Sequence, residues 1–413
     1  MIASGVIGLP LHPGRLPNWF ADRMGTLGTA VIESIVQNYG KSEVLSRLSS
    51  PLYMQALAAV AGMQWNSSGS TAALMGSVRR KLNPRAHDLG LYIAGGKGKS
   101  AWRAPAQLER HADKTGLDGK ELIRSCNLTK RVDGNAVQDG YSLYQQHFIV
   151  SDEGEWTAIQ QGMDTHTRRA RRYHWHSPTV RDFVSDPHTG ICGERGKKIL
   201  NLADSRAKPT RDHMVELTQE NPEKIIDAAR GIEFGDYHEI REGDVNLKRL
   251  GAVLAMAHGE VDSFPDLLML KGVGPHTLKS LALVSEVIHG DASRFEDPAR
   301  FSFALGGKDG RPGPIDKKAY DETIQHLQES VEQSKLGYDE KSKALKRLHR
   351  ATKQVEDTKS PEADIEAYAK SEWDRLEKDG GYTFMGKVIP GVTKAIMGLQ
   401  NSLLYGKSDD KKD

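Results

Sequence analysis

The run Ser142-Leu143-Tyr144-Gln145-Gln146-His147-Phe148-Ile149-Val150-Ser151-Asp152-Glu153-Gly154-Glu155-Trp156-Thr157-Ala158-Ile159-Gln160-Gln161 decides the fold. Its first half is rich in residues that suit a pleated strand, and Asp152-Glu153-Gly154 is a hairpin turn signature. Residues 155–161 then make the returning strand, and Arg171 to His176 supply a third. Successive side chains on a strand point to opposite faces. Gln145 and His147 therefore share a face, while Arg172, His174 and His176 point away from Tyr173 and Trp175. The fold expected around these strands is an α+β N-terminal domain with a small antiparallel sheet.

Upstream, Leu9-Pro10-Leu11-His12-Pro13-Gly14 reads as an extended opening, followed by two helices. The first carries Trp19, Phe20, Met24, Leu27, Val31, Ile35 and Val36 at helical spacing, and the second covers residues 42–62. Ser70 is the expected cap of a helix ending near Leu82. A short strand, residues 91–94, runs into Gly95-Gly96-Lys97-Gly98-Lys99-Ser100. The spacing is not that of a P-loop, so no nucleotide or organic cofactor is expected there. A cradle of backbone and the lysines Lys97 and Lys99 for a nucleic-acid phosphate is the better functional reading.

Downstream of about Pro209 the pattern turns helical. Leu270-Lys271-Gly272-Val273-Gly274-Pro275-His276-Thr277-Leu278-Lys279-Ser280-Leu281 joins a short amphipathic segment to a longer one. A glycine hairpin at a helix N-terminus lets a phosphate approach the backbone, where free N–H groups and the helix dipole favour an anion. Such contacts grip a nucleic acid without reading its sequence. Lys271, Gly272, Val273, Gly274, His276, Thr277 and Lys279 are the expected binding residues. The domains expected are 1–205, α+β and catalytic; 206–292, an all-α helix-hairpin-helix domain; 293–358, a Gly/Pro loop with charged helices; and 359–413, a C-terminal helical extension and tail.

The 413 residues carry a net charge of only +2, so nucleic-acid binding must come from local patches rather than a basic coat. Arg168-Arg169-Ala170-Arg171-Arg172, Gly196-Lys197-Lys198 and Lys346-Arg347-Leu348-His349-Arg350 are such patches, each of which could equally be a solvated face. Cys126 and Cys192 stand far apart, which predicts neither a disulfide framework nor a cysteine zinc site. No basic segment precedes Pro10 and Pro13, so no signal peptide is expected. No apolar run reaches the ~20 residues that span a bilayer, and the expected location is cytoplasmic.

Residues 142–188 concentrate chemistry: His147, His166, His174, His176 and His188 beside carboxylates, glutamines and an arginine run. A sheet face carrying His and Arg could hold a phosphodiester. The roles expected are His147, His174 or His176 as general base or metal ligand, Arg172 as phosphate clamp and Gln161 as orienting group. No His-Glu-x-x-His signature is present, so a divalent metal, Mg²⁺ or Mn²⁺, is conceivable rather than indicated.

Several motifs taken in order resemble a prokaryotic family, domain of unknown function 763. They are Leu9 to Gly14 with Pro17 and Trp19, the Gly95 to Lys99 loop, Gly154-Glu155-Trp156 with Gln160-Gln161-Gly162-Met163, Ala170-Arg171-Arg172-Tyr173-His174-Trp175, and Asp297-Pro298-Ala299-Arg300-Phe301-Ser302-Phe303 with Gly306-Gly307-Lys308-Asp309-Gly310. The resemblance covers residues 1 to about 330 and implies no particular activity. The hairpin is also similar to that of helix-hairpin-helix DNA glycosylases. Bifunctional members place a catalytic lysine just before the motif's threonine, where this chain has His276. Their later catalytic Asp corresponds to Arg294, with Asp291 the nearest acid upstream. Lys308 and Asp316 could substitute.

The function expected is a nucleic-acid-processing enzyme, a nuclease acting on DNA, single strands included, or on RNA. A glycosylase using Asp316 is the enzyme alternative, and a non-catalytic DNA-binding protein is the alternative from another class. The sequence leaves the oligomeric state open.

Overall fold

A computed structural model describes residues 9–11, 16–63, 67–194, 196, 199–230, 247–290, 293–299, 325, 329, 331–332, 382–383 and 386–387. The chain divides into two compact units, residues 1–354 and 355–413. The first contains strands β1 (Leu9–Pro10), β2 (Leu91–Lys97), β3 (Val137–Gln138), β4 (Ser142–Ser151), β5 (Trp156–Asp164), β6 (Arg169–His176), β7 (Gly190–Cys192) and β8 (Leu200–Asn201). Its helices are α1 (Asn18–Tyr39), α2 (Lys41–Ser49), α3 (Pro51–Val60), α4 (Ser68–Leu82), α5 (Ala86–Leu89), α6 (Lys99–Trp102), α7 (Ala104–Thr115), α8 (Gly119–Arg131), α9 (Lys208–Gln219), α10 (Pro222–Arg230), α11 (Leu247–Ala257), α12 (Phe264–Met269) and α13 (Pro275–His289). In the second unit, Tyr382–Thr383 pairs with Gly386–Lys387.

The expected hairpin is the middle of a six-stranded antiparallel sheet, ordered β2-β4-β5-β6, with β1 and β7 both pairing β6. Gly154 takes φ +87°, and its N–H reaches the Ser151 carbonyl at 3.1 Å to close the turn. The outer edge of β2, which pairs no further strand of the sheet, is bonded to side chains: Asn83 donates to and accepts from Ile93, and Gln107 accepts from the Gly95 N–H at 2.7 Å. Such bonds stop an edge strand from templating another chain.

Helices cover both faces of this sheet. On one, Leu91, Ile93, Ile149 and Ile159 join a core with α1, α2, α3 and α4. On the other, Phe148, Val150, Ala158 and Trp175 belong to a core that runs through α7 and α8 and on into α9, α11, α12 and α13. Sheet and downstream helices are thus packed on one continuous apolar body.

Three sequence expectations are corrected. The helix expected over 42–62 is two helices, because Pro51 cannot continue α2 and instead opens α3 with Ser50 as its N-cap. The cap of α4 is Ser67 rather than Ser70. Ser70 is the third helical residue, and its hydroxyl bonds back to the Ser67 N–H and carbonyl. The run Arg168 to Arg172 is not a surface patch, since Arg171 and Arg172 are fully buried. Lys197 and Lys198, the Gly/Pro loop from Arg300 to Asp316 including Lys308, and the Lys346 to Arg350 patch lie outside the described residues. So do most of the expected helices of 317–357 and the extension beyond the short ladder.

Candidate functional site

Strand register lines up Lys97, Gln145, Gln161, Arg172 and Cys192 across five strands on the face covered by α1 to α4. The next row on the same face holds Gly95, His147, Ile159, His174 and Gly190. The pleat therefore brings four of the five expected catalytic residues, His147, Gln161, Arg172 and His174, into two adjacent rows. His176 lies two residues further along β6. Its Nδ1 is 3.1 Å from the Thr157 hydroxyl, which donates to the Leu45 carbonyl, and its Nε2 is 3.6 Å from Glu155.

The upper row runs from solvent to interior. Lys97 is exposed, while Gln145, Gln161 and Arg172 are at most 2% exposed. A β-bulge between Leu143 and Gln145 inserts Tyr144 without a strand partner. Its hydroxyl meets the Gln161 side-chain amide, and the Lys97 ammonium lies 5.7 Å over its ring. The Gln161 amide also donates to the Ser68 carbonyl at 3.0 Å, which sets the first turn of α4 against this row. Gln145 Nε2 is 3.2 Å from His147 Nδ1. Lys99, at the start of α6, is exposed and belongs to neither row.

Electrostatics separate these residues sharply. Burial lowers His147 to about 3, with the nearby Arg79 charge adding to the effect, and lowers His174 to about 3, with Arg172 adding to it. Both rings are neutral imidazoles near pH 7. Burial raises the Cys192 thiol to about 11 and also raises the Tyr144 phenol, so neither supplies negative charge. Arg172 is consequently a buried cation among neutral groups. Among the described residues no carboxylate contacts it, and its Nε and Nη2 have no hydrogen-bond partner. Its neighbour Arg171, on the opposite face, meets Asp139 at 3.1 Å and Asp297 at 2.7 Å.

The same opposite face carries a second polar group that sequence spacing did not single out. Asp133 accepts from Gln160 at 2.6 Å and Trp175 at 3.0 Å, and its other oxygen is 2.6 Å from His188 Nε2. These contacts lock β5, β6 and the segment after α8 together.

The two rows do not fit Mg²⁺ or Mn²⁺. Hard cations take carboxylate and carbonyl oxygens, whereas these rows offer no carboxylate and include the Arg172 charge. Elsewhere, among the described residues, His213, Glu216 and His289 place ligand atoms within 4.8 Å of one another. Imidazole and carboxylate there suit a zinc-like ion better than magnesium.

The glycine hairpin is part of the same apolar body, through Val273 and Leu270. Leu270 to Gly274 connect α12 to α13, with Gly272 at φ +91°. Arg131 and Asn135 donate to the Val273 carbonyl at 3.3 and 3.4 Å, and Gln138 donates to the Pro275 carbonyl at 2.7 Å. Those donors hold the carbonyl side, while the Gly272 and Gly274 N–H groups take no acceptor among the described residues. Lys271, Gly272, Pro275 and His276 are exposed, Gly274 and Lys279 are half-buried, and Val273 and Thr277 are buried. Nothing lies within 4 Å of the point where a Gly274 Cβ would sit.

The family model described as Protein of unknown function (DUF763) matches residues 5–315. The chain belongs to that family. The DUF763 span takes in both polar rows and the hairpin, and Asp316 falls just past its end. No match was found among curated proteins or among solved structures.

Sequence reasoning missed Tyr144 and Cys192 as neighbours of Arg172, and the first turn of α4 as the partner of Gln161. The register after a bulge and the docking of a helix end are long-range facts, and the run Ser67-Ser68-Gly69-Ser70 read only as a local cap.

Proposed function

We propose that this DUF763 protein binds nucleic acid through a helix-hairpin-helix element at Leu270 to Thr277 and acts on phosphoester groups at the polar sheet rows. The observation that carries the reading is the polarity of the hairpin: the Val273 and Pro275 carbonyls accept from Arg131, Asn135 and Gln138, while the Gly272 and Gly274 amides, which take no acceptor among the described residues, would meet a phosphate. Lys271 adds exposed positive charge beside it. In the rows, Arg172 clamps phosphate oxygens, Gln161 orients it, and neutral His147 or His174 is the general base. No metal-dependent step is derived there, because the donor set does not fit one.

The second reading, a non-catalytic nucleic-acid-binding protein, draws on the helices that cover both faces of the sheet. The glycosylase reading depends on Asp316, which lies outside the described residues. Incubating the purified protein with single- and double-stranded DNA and RNA, with and without Mg²⁺, Mn²⁺ and chelator, separates the three. Strand cleavage supports the nuclease, abasic sites the glycosylase, and binding without turnover the scaffold.

A further inference from the structure

We infer that His213, Glu216 and His289 form a binding site for a divalent transition metal of the zinc class, which fastens the last turn of α13 to α9. The site is built on other elements than the polar sheet rows, and it does not rest on the nucleic-acid reading.

The packing of two helices brings the three side chains together. Met214 and Leu217 of α9 share one core with Leu278 and Leu281 of α13, and the two helices are in direct contact. His213 and Glu216 stand three residues apart on α9 and so occupy one face of it. His289 is the last residue of α13. The ligand atoms of all three lie within 4.8 Å of one another. The His213 and His289 rings stack with their centroids 4.0 Å apart and their planes within 6°.

Three features select such an ion. Two imidazoles and one carboxylate are the donor set of an open zinc site, in which three protein groups leave a fourth position for water. Mg²⁺ and Ca²⁺ want a shell of oxygens, which a single carboxylate does not supply. Next, His289 stands at the C-terminal end of a fifteen-residue helix, where the dipole favours positive charge. Last, the Glu216 carboxylate and the His289 ring are exposed and make no hydrogen bond or ion pair among the described residues. Coordination through them therefore breaks no bond within the protein.

A tetrahedral zinc with bonds of about 2.0–2.2 Å holds its ligand atoms about 3.3–3.5 Å apart. The exposed Glu216 and His289 side chains close onto the half-buried His213 by rotating about their own torsions, and the two rings tilt out of parallel so that a nitrogen of each faces the ion. The water position opens on the same exposed side.

The test uses the full-length chain without an affinity tag, stripped with chelator and dialysed. Calorimetric titration with Zn²⁺ should show one ion per chain, and the thermal midpoint should rise with Zn²⁺ or Co²⁺ but not with the same concentration of Mg²⁺. Bound Co²⁺ should also give the visible absorption of a low-coordinate site. Glu216→Gln and His289→Ala alter exposed side chains, so both should fold; each should weaken Zn²⁺ binding at least about tenfold, since even an outer-shell partner is worth that much. A wild type that takes up Zn²⁺ no better than Mg²⁺ overturns the proposal and needs no variant. Undiminished Zn²⁺ binding in a folded double variant, Glu216→Gln with His289→Ala, overturns it too. So does Zn²⁺ binding with no rise in midpoint, because an ion that requires both helices in place binds the folded chain alone.

Discussion

Arg171 and Arg172 are consecutive residues of one strand, both fully buried, yet Arg171 has two carboxylate partners and Arg172 has none among the described residues. The pleat sends them to opposite faces, so the difference lies in what each face was built to hold. Arg171 closes a structural cluster: its guanidinium bonds Asp139, Asp297 and the Glu194 carbonyl, and Asp297 also accepts from the Gly196 N–H.

That contrast predicts opposite stability effects in phosphate-free buffer. Arg171→Met strands two buried carboxylates and should cost about 3–5 kcal/mol. Arg172→Met removes an uncompensated charge and should cost less than about 1 kcal/mol or stabilise the fold. Urea unfolding of the two variants measures both. Equal large losses would mean that Arg172 is held by structural partners.

Stability should fall as the solution is acidified below pH 6.5. His147 and His174 are buried as neutral rings with folded values of about 3, whereas the unfolded chain titrates near 6.5. The unfolded state therefore binds more protons between those limits. The stabilising contribution is complete above pH 6.5 and is lost progressively down to about pH 3, at about 1.4 kcal/mol per pH unit for each ring. By pH 5 that is about 2 kcal/mol per histidine. Melts of wild type against His147→Gln and His174→Gln check it: each replacement should flatten the slope, and an unchanged slope would show that the rings are solvated.

Gln161 links the sheet to α4 through Ser68 and to the bulge through Tyr144. Gln161→Leu should cost about 1–3 kcal/mol by deleting both of these buried hydrogen bonds. If it is also an orienting group for phosphate, any phosphate-induced rise in thermal midpoint should shrink in this variant. Differential scanning fluorimetry with and without phosphate reads both effects.

Much of this arrangement was legible in the sequence because period two is a strong signal. The hairpin at Asp152 to Glu155 and the opposite facing of Tyr173 and Trp175 against Arg172 and His174 follow from it. What the sequence did not reveal is that the polar face is interior. Gln145, His147, Arg172 and His174 look like the solvent side of a half-buried strand, but α1 to α4 cover them. Burying polar groups runs against the pattern that local rules expect, and such departures concentrate at functional sites. The break at Pro51 inside the helix expected over 42–62 is a local signal that the helical spacing alone did not take into account. The turn of α4 against Gln161 depends on pairing across about ninety residues of sequence, which no local pattern encodes.

The most direct test of nucleic-acid binding uses Gly274. Its extended backbone, φ −137° and ψ −178°, and the open space around it admit a side chain without strain. Gly274→Glu should therefore leave the thermal midpoint unchanged while blocking the amides and repelling phosphate. Fluorescence anisotropy with labelled single- and double-stranded DNA and RNA, at several salt concentrations, is the measurement. The expected result is wild-type binding that weakens as salt rises, with at least a tenfold loss of affinity in Gly274→Glu, about 1.4 kcal/mol. Wild-type affinity in a correctly folded Gly274→Glu, or no binding by the wild type at low salt, would contradict the account.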